Sequence, residues 1–347
     1  MRKLATIQTV KDVLPIEKSD FLELLKFNDI GWQCVAKKGE FKSGDIGVFF
    51  EVDSFLPIDD RFSFLEKTSY RKMFTGDEGY RLRTIKLRGT LSQGLFLPID
   101  IFPEITDKTV LTDVTELLNV IKWEREPSIS MSGDIVGDYP AHTPRSHQDR
   151  IQNCPEYFDL YKDVVFERTM KLEGTSTSFH YLDGEFDASS HNTTYARNEK
   201  FTPYKYSMEL ELDNALKVLN KNVTIQGEFM GPKIQKNIEG FTEFKFFVYN
   251  IWDISKSDWL SASERYSFMD EVNAILGKEL LHVPILDKEI KIFSVVNSLD
   301  EILAMADGPS INAKYREGDV YKSIEKIDGS YVQFKVISNK YLLNEKD

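Results

Sequence analysis

Residues 244–252 constrain the fold more than any other segment, because they are almost continuously apolar and aromatic. A half-buried strand alternates polar and apolar side chains, whereas a run like this one is typical of a strand covered on both faces. Two capping-box sequences, at residues 261–264 and 298–301, each precede apolar residues at helical spacing. The sequence therefore predicts a mixed α and β region with a buried strand and two helices.

The first 120 residues have a different pattern. Residues 30–36 and 46–52 have the composition of short strands, and the turn-rich segment 38–45 separates them. A chain of 347 residues is long for one core and sufficient for two domains of roughly 120 and 220 residues. Residues 124–149 carry no lasting hydrophobic period, and we interpret them as a connector. We therefore predict a small all-β module over residues 1–123 and a second domain over residues 124–347.

The net charge of the chain is -12, from 44 basic and 56 acidic residues, which excludes a protein that binds polyanions generally. Against this background residues 81–98 contain no acidic residue and four basic ones, Arg81, Arg83, Lys86 and Arg88. Their spacing changes strand parity between Arg83 and Lys86, so a bulge or a non-strand stretch is needed to place all four on one side. Two interpretations stay open, a contact with a nucleic-acid backbone and a solvated strand face.

Several classes of protein are excluded by what the sequence lacks. No run approaches the ~18 apolar residues that span a bilayer, and the N-terminus does not resemble a signal peptide, so we expect an intracellular protein without membrane contact. Cys34 and Cys154 are too few for a disulfide scaffold, and we interpret both as reduced thiols. The five histidines show no metal-ligand spacing.

The segment with the most chemical information is residues 166–176, in which Lys171, Glu173 and Gly174 follow one another closely. Lysine becomes a nucleophile only after it loses its proton, and lowering its pKa from about 10.4 to near 7 requires roughly 4 to 5 kcal/mol. Nearby cations can supply that stabilisation. Taken alone the tetrapeptide is weak evidence, because a solvated charge pair before a turn has the same sequence.

Companion motifs follow in a specific order. Residues 194–198 supply an arginine, residues 226–232 a carboxylate between glycines, residues 244–252 aromatic rings, and residues 316–322 and 332–338 a carboxylate and two lysines. This order resembles the covalent nucleotidyltransferase superfamily of ATP-dependent DNA ligases, RNA ligases and messenger RNA capping enzymes.

Within that superfamily the chain is most similar to ATP-dependent RNA ligases that place an OB-type module before the nucleotidyltransferase domain. The N-terminal segments that carry this resemblance are residues 2–7, 38–41, 50–57, 84–89 and 92–95, and residues 149–153 resemble the segment that precedes the nucleophile. The chain ends shortly after residues 340–343, without the C-terminal OB domain of DNA ligases and capping enzymes, which favours the RNA ligase branch.

The resemblance implies an α+β protein, an N-terminal OB-type β-barrel followed by a mixed α/β nucleotidyltransferase domain of the ATP-grasp-like ligase type. It implies that Lys171 attacks the α-phosphorus of ATP and becomes lysyl-AMP. Glu317 would hold Mg2+ or Mn2+ through waters, and Glu173 would share that hydration shell and contact ATP. The other residues implied to bind ATP are Arg150 at the leaving pyrophosphate, Glu228 at the ribose, Phe246 at the adenine, and Arg197, Lys322 and Lys335 at the phosphates.

Two departures from the family pattern weaken parts of this assignment. Many relatives end in a Lys-any-Lys motif, whereas here Gln333 or Ile337 occupies the place of one lysine, so only Lys335 is assigned. Glu173 replaces the commoner aspartate, which leaves direct and water-mediated metal contact both open. Alternatives from the residues alone also remain, since Phe246 lies in a strand that any fold would bury and Glu228 and Arg197 resemble ordinary surface charges.

The leading hypothesis is therefore an ATP-dependent, monomeric RNA ligase that joins a 3′-OH to a 5′-phosphate, with nicks in duplex RNA as the expected substrate. One alternative is an RNA capping guanylyltransferase that places GMP on Lys171. The other is an OB-fold RNA-binding protein whose transferase domain is inactive, although Lys171, Glu228, Glu317 and Lys335 are all present.

Overall fold

The computed structural model describes residues 2–17, 19–126 and 131–344. The chain forms two compact units. Of the described residues, the N-terminal unit comprises 2–17, 19–126, 151–157 and 342–344, and the C-terminal unit comprises 131–150 and 158–341.

The N-terminal unit is built from short antiparallel strands, as the strand and turn signals in its sequence predict. Its strands are β1 (Ala5–Pro15), β2 (Leu22–Phe27), β3 (Gln33–Lys37), β4 (Ile46–Phe50), β5 (Ser54–Pro57), β6 (Tyr70–Lys72), β7 (Glu78–Arg81), β8 (Thr84–Leu87), β9 (Thr90–Gln93), β10 (Leu95–Pro98) and β11 (Ile121–Lys122), with one short helix, α1 (Glu66–Ser69).

These strands form a five-stranded sheet in the order β10-β4-β1-β2-β3, a four-stranded sheet in the order β11-β5-β7-β6, and the β8-β9 hairpin. Strand β4 has buried side chains on both faces, with Phe50 in one apolar cluster and Phe49 in another. The OB-like arrangement predicted for this half is confirmed. Cys34 and Cys154 are buried and are not joined in a disulfide, as predicted.

The C-terminal unit combines two sheets with several helices. Its strands are β12 (Ile135–Asp138), β13 (Asp149–Arg150), β14 (Phe166–Lys171), β15 (Thr175–Leu182), β16 (Glu185–Ser190), β17 (Thr193–Tyr195), β18 (Val223–Met230), β19 (Lys245–Asp253), β20 (Asp258–Trp259), β21 (Leu281–His282), β22 (Ile285–Ile290), β23 (Gly318–Ser323) and β24 (Gln333–Ile337). Its helices include α3 (Thr202–Glu209), α4 (Leu212–Leu219), α5 (Ala262–Asn273), α6 (Ile292–Val295) and α7 (Leu299–Ala306), while α2 (Tyr157–Leu160) and α8 (Asn339–Asn344) cross the boundaries between the units.

The larger sheet has the order β12-β17-β16-β15-β18-β19-β20, with β21 beside β19, and the smaller one has the order β13-β24-β23-β14-β22. The main core lies between the larger sheet and helices α3 to α5, and Phe246 and Leu216 are among its members. A second apolar cluster contains Met170 from the smaller sheet and Phe247 from the larger one. Strand β19 is therefore buried on both faces, which confirms the prediction from residues 244–252.

Both capping-box predictions are confirmed. Ser261 accepts a hydrogen bond from the Glu264 backbone N–H at the start of α5, and Ser298 accepts one from Glu301 at the start of α7. No helix among the described residues is long and apolar enough to cross a membrane.

The prediction that residues 124–149 are only a connector is wrong for their second half. Residues 127–130 lie outside the described residues, but β12 pairs with β17 and the chain after it packs on the larger sheet. The Tyr139 hydroxyl contacts Ser178 Oγ at 3.1 Å, and Thr143 Oγ1 contacts Thr224 Oγ1 at 2.6 Å. These side chains are held by hydrogen bonds rather than by apolar burial, so a search for hydrophobic period does not detect them.

Replacing Gly47 with alanine should destabilise the N-terminal unit. A Cβ at this position in β4 would lie 2.5 Å from the Leu97 carbonyl oxygen and 2.5 Å from the Phe96 ring. Such overpacking typically costs about 1 to 3 kcal/mol in the free energy of unfolding, measurable by urea and thermal denaturation. Gly137→Ala is the matched control, because no atom lies within 4 Å of its Cβ position. Equal stability of the two variants would contradict this packing.

Candidate active site

A cavity of about 190 Å³ lies between the two sheets of the C-terminal unit. Alternate residues of β14 face it, and side chains of β23 and β24 continue the same wall. The opposite wall comes from β15, β18 and β19. The charged side chains that line the cavity are Glu167, Lys171, Glu228, Lys322 and Lys335.

Lys171 is the last residue of β14, the strand end that the sequence predicts for it, and it lies opposite Gly318 of β23. Its Nζ donates to Glu317 Oε2 at 2.8 Å. Burial acts to lower the pKa of Lys171, but the carboxylates of Glu317 and Glu228 outweigh burial and the pKa is raised above its usual value. Lys171 is therefore a protonated partner of Glu317, and it becomes a nucleophile only after it loses that proton.

The chain turns directly after Lys171, and Gly174 is required there. A Cβ at this position would lie 2.5 Å from the Phe229 carbonyl oxygen, so only glycine lets the two sheets approach this closely. The Gly174 backbone N–H donates to Glu228. The glycine that follows the lysine in the sequence thus connects the nucleophile to the carboxylate of β18.

The negative charge around Glu228 exceeds the positive charge that Lys171 supplies. Burial raises the pKa of this carboxyl to about 8, Lys171 acts to lower it, and the negative charges of Glu317 and Glu173 raise it further. A cation placed here would therefore be stabilised by several carboxylates. Among the described residues no three His, Cys, Asp or Glu side chains converge into a complete metal cage. The donors suit Mg2+ or Mn2+, which bind one or two carboxylates together with waters and phosphates.

Arg150 and Lys335 lie on neighbouring strands of the smaller sheet. Arg150 of β13 pairs in parallel with Lys335 of β24, and Lys335 is opposite Val320, which in turn is opposite Thr169. Thr169 is midway along β14 between Lys171 and Glu167, so Lys335 lines the middle of the cavity. The Arg150 charge acts to lower the pKa of Lys171. Two cations therefore accompany the nucleophile on this sheet, although only Lys335 lines the cavity itself.

Lys322 lies at the other end of the cavity. It is opposite Glu167, four residues along β14 from Lys171, which is about 13 Å at the usual strand rise. Burial and the neighbouring Arg265 charge lower the pKa of Lys322 to about 7, and its Nζ donates to Asn250 Oδ1 at 3.3 Å. Lys335 is opposite Val320, two residues before Lys322 on β23, so the two lysines are diagonal neighbours on the same wall of the cavity.

Two predicted ATP contacts are not brought into the cavity. Phe246 is completely buried in the core between the larger sheet and the helices, where its ring lies 4.7 Å from Phe179. Its stacking role needs correction, because an enclosed ring has no face to offer to a base. Arg197 is on the surface, where it pairs with Asp187 and Glu185 and does not line the cavity.

The four basic residues of the segment 81–98, which we call the basic island, differ in their exposure to solvent. Arg81 is 5% exposed, and its guanidinium lies 5.0 Å from the Trp123 ring, so burial excludes it from a surface contact. Arg83 is half-buried, whereas Lys86 and Arg88 are exposed. Arg88 and Gly89 both have positive φ and form the turn of the β8-β9 hairpin, and the strand breaks between Arg81 and Thr84. The interruption that the spacing requires is therefore present.

Several residues at the site were missed by the sequence analysis. The Tyr341 hydroxyl donates to Glu173 Oε1 at 3.1 Å, and Ser146, Gln148 and Tyr249 line the cavity. Arg265 is completely buried on α5 and binds Glu167 through Nη2 at 2.7 and 2.5 Å. No local pattern marks these residues, since each reaches the site only through packing of distant elements.

Comparisons with known proteins agree with this geometry. Residues 4–99 match a family model described as an OB-fold domain, and residues 164–341 match one described as RNA ligase. A comparison with curated proteins finds no match.

Among solved structures, a variant of Naegleria gruberi RNA ligase with ATP and Mn is 40% identical, with 100% of both chains covered and a TM-score of 0.91. A second variant with AMP and Mn is 40% identical over 98% of both chains, with a TM-score of 0.90. A variant without ligand is 40% identical over 98% of this chain and 97% of that one, with a TM-score of 0.89.

Glu317→Gln should lower the pKa of Lys171, because it removes the carboxylate that holds the ammonium. With the raised pKa, Lys171 stays protonated to higher pH, and without Glu317 the neutral amine is present at lower pH. The modification of Lys171 by trinitrobenzenesulfonate, followed by peptide mapping across pH without nucleotide, should therefore shift to a lower midpoint. Glu289→Gln, at an exposed position, is the control. An unchanged midpoint in Glu317→Gln would show that the pair does not control this amine.

Proposed function

The chain belongs to the RNA ligase family, and we propose that it uses ATP to join a 3′-OH to a 5′-phosphate at nicks in duplex RNA, with Lys171 as the nucleophile. The observation that carries this proposal is the position of Lys171 at the end of β14, paired with Glu317 and close to Glu228 and the Arg150 charge. The site is formed within one chain, which supports action as a monomer.

Three transfers at phosphorus account for the reaction. Lys171 Nζ loses its proton, forms a bond to the α-phosphorus of ATP and displaces pyrophosphate. The 5′-phosphate of the RNA then attacks the same phosphorus and releases Lys171 as the leaving amine. Finally the 3′-OH attacks the activated 5′-phosphate and displaces AMP. Negative charge develops on phosphate oxygens in each step, so preorganised cations supply much of the catalysis.

The two ends of the cavity suggest how ATP is oriented. Arg150 and Lys335 would bind the phosphates beside Lys171, and Glu228 would accept hydrogen bonds from the ribose. The base would then extend toward Lys322. Tyr249 lines the cavity and its hydroxyl contacts Ser176 at 2.8 Å, so we assign its ring, in place of Phe246, to pack against the base.

A divalent cation fits the carboxylates at the Lys171 end. Glu317 and Glu173 would hold Mg2+ or Mn2+, with Tyr341 orienting Glu173 through its hydroxyl. Such an ion would neutralise phosphate charge, and a Glu317 carboxylate that holds it would no longer hold the Lys171 ammonium, which would favour the neutral amine. Two of the Naegleria gruberi RNA ligase structures contain Mn with ATP or AMP, which favours transfer of AMP over transfer of GMP.

The nick proposal predicts a strong dependence on duplex structure. A nick holds the 3′-OH beside the 5′-phosphate, so its sealing rate should exceed that of the same strands without a complement by at least about tenfold. Gel electrophoresis of end-labelled RNA measures both rates. Equal rates on nicked and unpaired strands would contradict nick sealing while leaving RNA ligation intact.

Lys171→Met is the control for chemistry in this assay. It should take up no label from α-labelled ATP, yet it should still seal a nick that already carries 5′-AMP, since that step does not use the lysine as nucleophile. Covalent AMP on this variant would show that another residue is the nucleophile.

Lys86 and Arg88 are proposed to contact the RNA backbone, because they are the exposed members of the basic island. The double alanine variant should bind nicked RNA more weakly. The slope of log affinity against log salt should fall by a little under two units, about 0.9 for each lost phosphate contact. AMP loading of Lys171, measured in parallel, should not change. An unchanged salt slope would identify the island as a solvated surface.

A further inference from the structure

A second cavity adjoins the end of the nucleotide cavity that lies away from Lys171, and the ligation chemistry does not use it. It has a volume of about 370 Å³ and shares Asn250, Lys322 and Gln333 with the nucleotide cavity. Exposed residues at its rim, Ser330 among them, show that it opens to solvent. We call it the aromatic cleft, after the rings of Trp252, Trp259 and Tyr331 that line it.

The rings of the aromatic cleft are held in place from several directions. Trp252 of β19 pairs with Trp259 of β20 across the strands, with ring centroids 4.9 Å apart and planes at 70°. The Trp252 indole N–H donates to the His142 carbonyl oxygen at 3.0 Å. Tyr331 follows a turn at Asp328 and Gly329, both with positive φ. All three rings are half-buried, so part of each ring remains accessible.

Two lysines accompany the rings. Lys322 Nζ lies 4.7 Å from the centre of the Tyr331 ring and 5.8 Å from that of Trp259, and Lys326 Nζ lies 5.6 Å from that of Tyr331. Lys326 also pairs with Asp258. The described lining residues therefore carry two positive charges and one negative charge, in a chain whose net charge is -12. Lys322 is 8% exposed and uses one donor on Asn250, and an ammonium has three.

Accessible aromatic rings beside lysines are the combination that binds single nucleotides of a nucleic-acid strand. Every base can stack on such rings regardless of sequence, and the ammonium groups bind the adjoining phosphate. An apolar partner would offer the Lys322 ammonium no acceptor beyond Asn250, and an inorganic anion would leave the three rings unused. A nucleotide satisfies both sets of groups.

We propose that the aromatic cleft binds one nucleotide of the RNA substrate that is turned out of the duplex, with its base against Trp259 and Tyr331 and its phosphate toward Lys322 and Lys326. This inference rests on the proposed function, because it takes RNA as the substrate. Lys322 is opposite Glu167, and Glu167 is about 13 Å from Lys171 along β14. A stacked RNA strand rises about 3.4 Å per nucleotide. The bound nucleotide is therefore about four positions from the joint.

The test combines protein variants with RNAs that lack a single base. Wild-type protein should bind nicked RNA about 5- to 30-fold more weakly when the base about four positions from the nick is removed, and normally when other bases are removed. Trp259→Leu and Tyr331→Leu should show the same loss on intact RNA and no additional loss on the abasic RNA, since the stacking partner is already absent. Phe21→Leu, at an exposed aromatic outside the cleft, is the matched control.

Several results would overturn this inference. If removing the base weakens RNA binding by Trp259→Leu as much as it weakens binding by the wild type, the Trp259 ring does not stack on that base. Loss of AMP loading in proportion to RNA binding would show that the cleft acts on ATP instead. If the leucine variants fail to fold, Lys326→Ala provides the second measurement, and its salt slope should fall by about 0.9. An unchanged slope there would exclude a phosphate contact.

Failure of the aromatic-cleft assignment can be distinguished from failure of the nick-sealing proposal. If wild-type protein joins unpaired RNA ends as fast as nicks, nick sealing fails, and the abasic scan is then made on the unpaired substrate. If wild-type protein seals nicks but the scan shows no position that depends on Trp259, only the aromatic cleft is wrongly assigned.

Discussion

The register between β14 and β23 is the constraint on which the rest of the site depends. Lys171 is opposite Gly318, and this pairing places its ammonium within 2.8 Å of Glu317 at the start of the next strand. A slip of one residue would turn Lys171 to the other face of the sheet, where Phe166 and Tyr321 pack in an apolar environment. Those buried rings therefore hold the register, and the register holds the nucleophile beside its carboxylate.

Charge along the cavity follows from the same strand pairing. The end beside Lys171 gathers Glu228, Glu317 and the Arg150 charge, Lys335 lines the middle, and the opposite end holds Lys322 with its lowered pKa. Burial strengthens each of these interactions, because little water remains to screen them. A nucleotide has the matching asymmetry, with a charged triphosphate at one end and a flat, uncharged base at the other. The cavity can therefore orient ATP before any bond forms.

Much of the fold and the chemical character of the site could be predicted from sequence. The capping boxes, the doubly buried strand β19 and the position of Lys171 at a strand end are all local features, set by residues close together in the chain. The stacking prediction for Phe246 fails for a definable reason. Strand β19 is apolar on both faces and its partner β18 carries an irregularity between Gln226 and Gly227, so alternation cannot identify the face toward the cavity. Burial of Arg81 is similarly set by Trp123, 42 residues away in sequence.

The sequence by itself determined which chemical groups are available and in what order, because a lysine, a carboxylate or a glycine has the same chemistry wherever the chain places it. Only the tertiary structure decided which of these groups meet. Lys171 and Glu317 are 146 residues apart, and Tyr341 reaches Glu173 across 168 residues. Tertiary structure also brought Trp252, Trp259 and Tyr331 to one cleft. The physical reason is that side-chain identity is a local property, whereas the direction and depth of a side chain depend on strand register and on the sheet that packs against it.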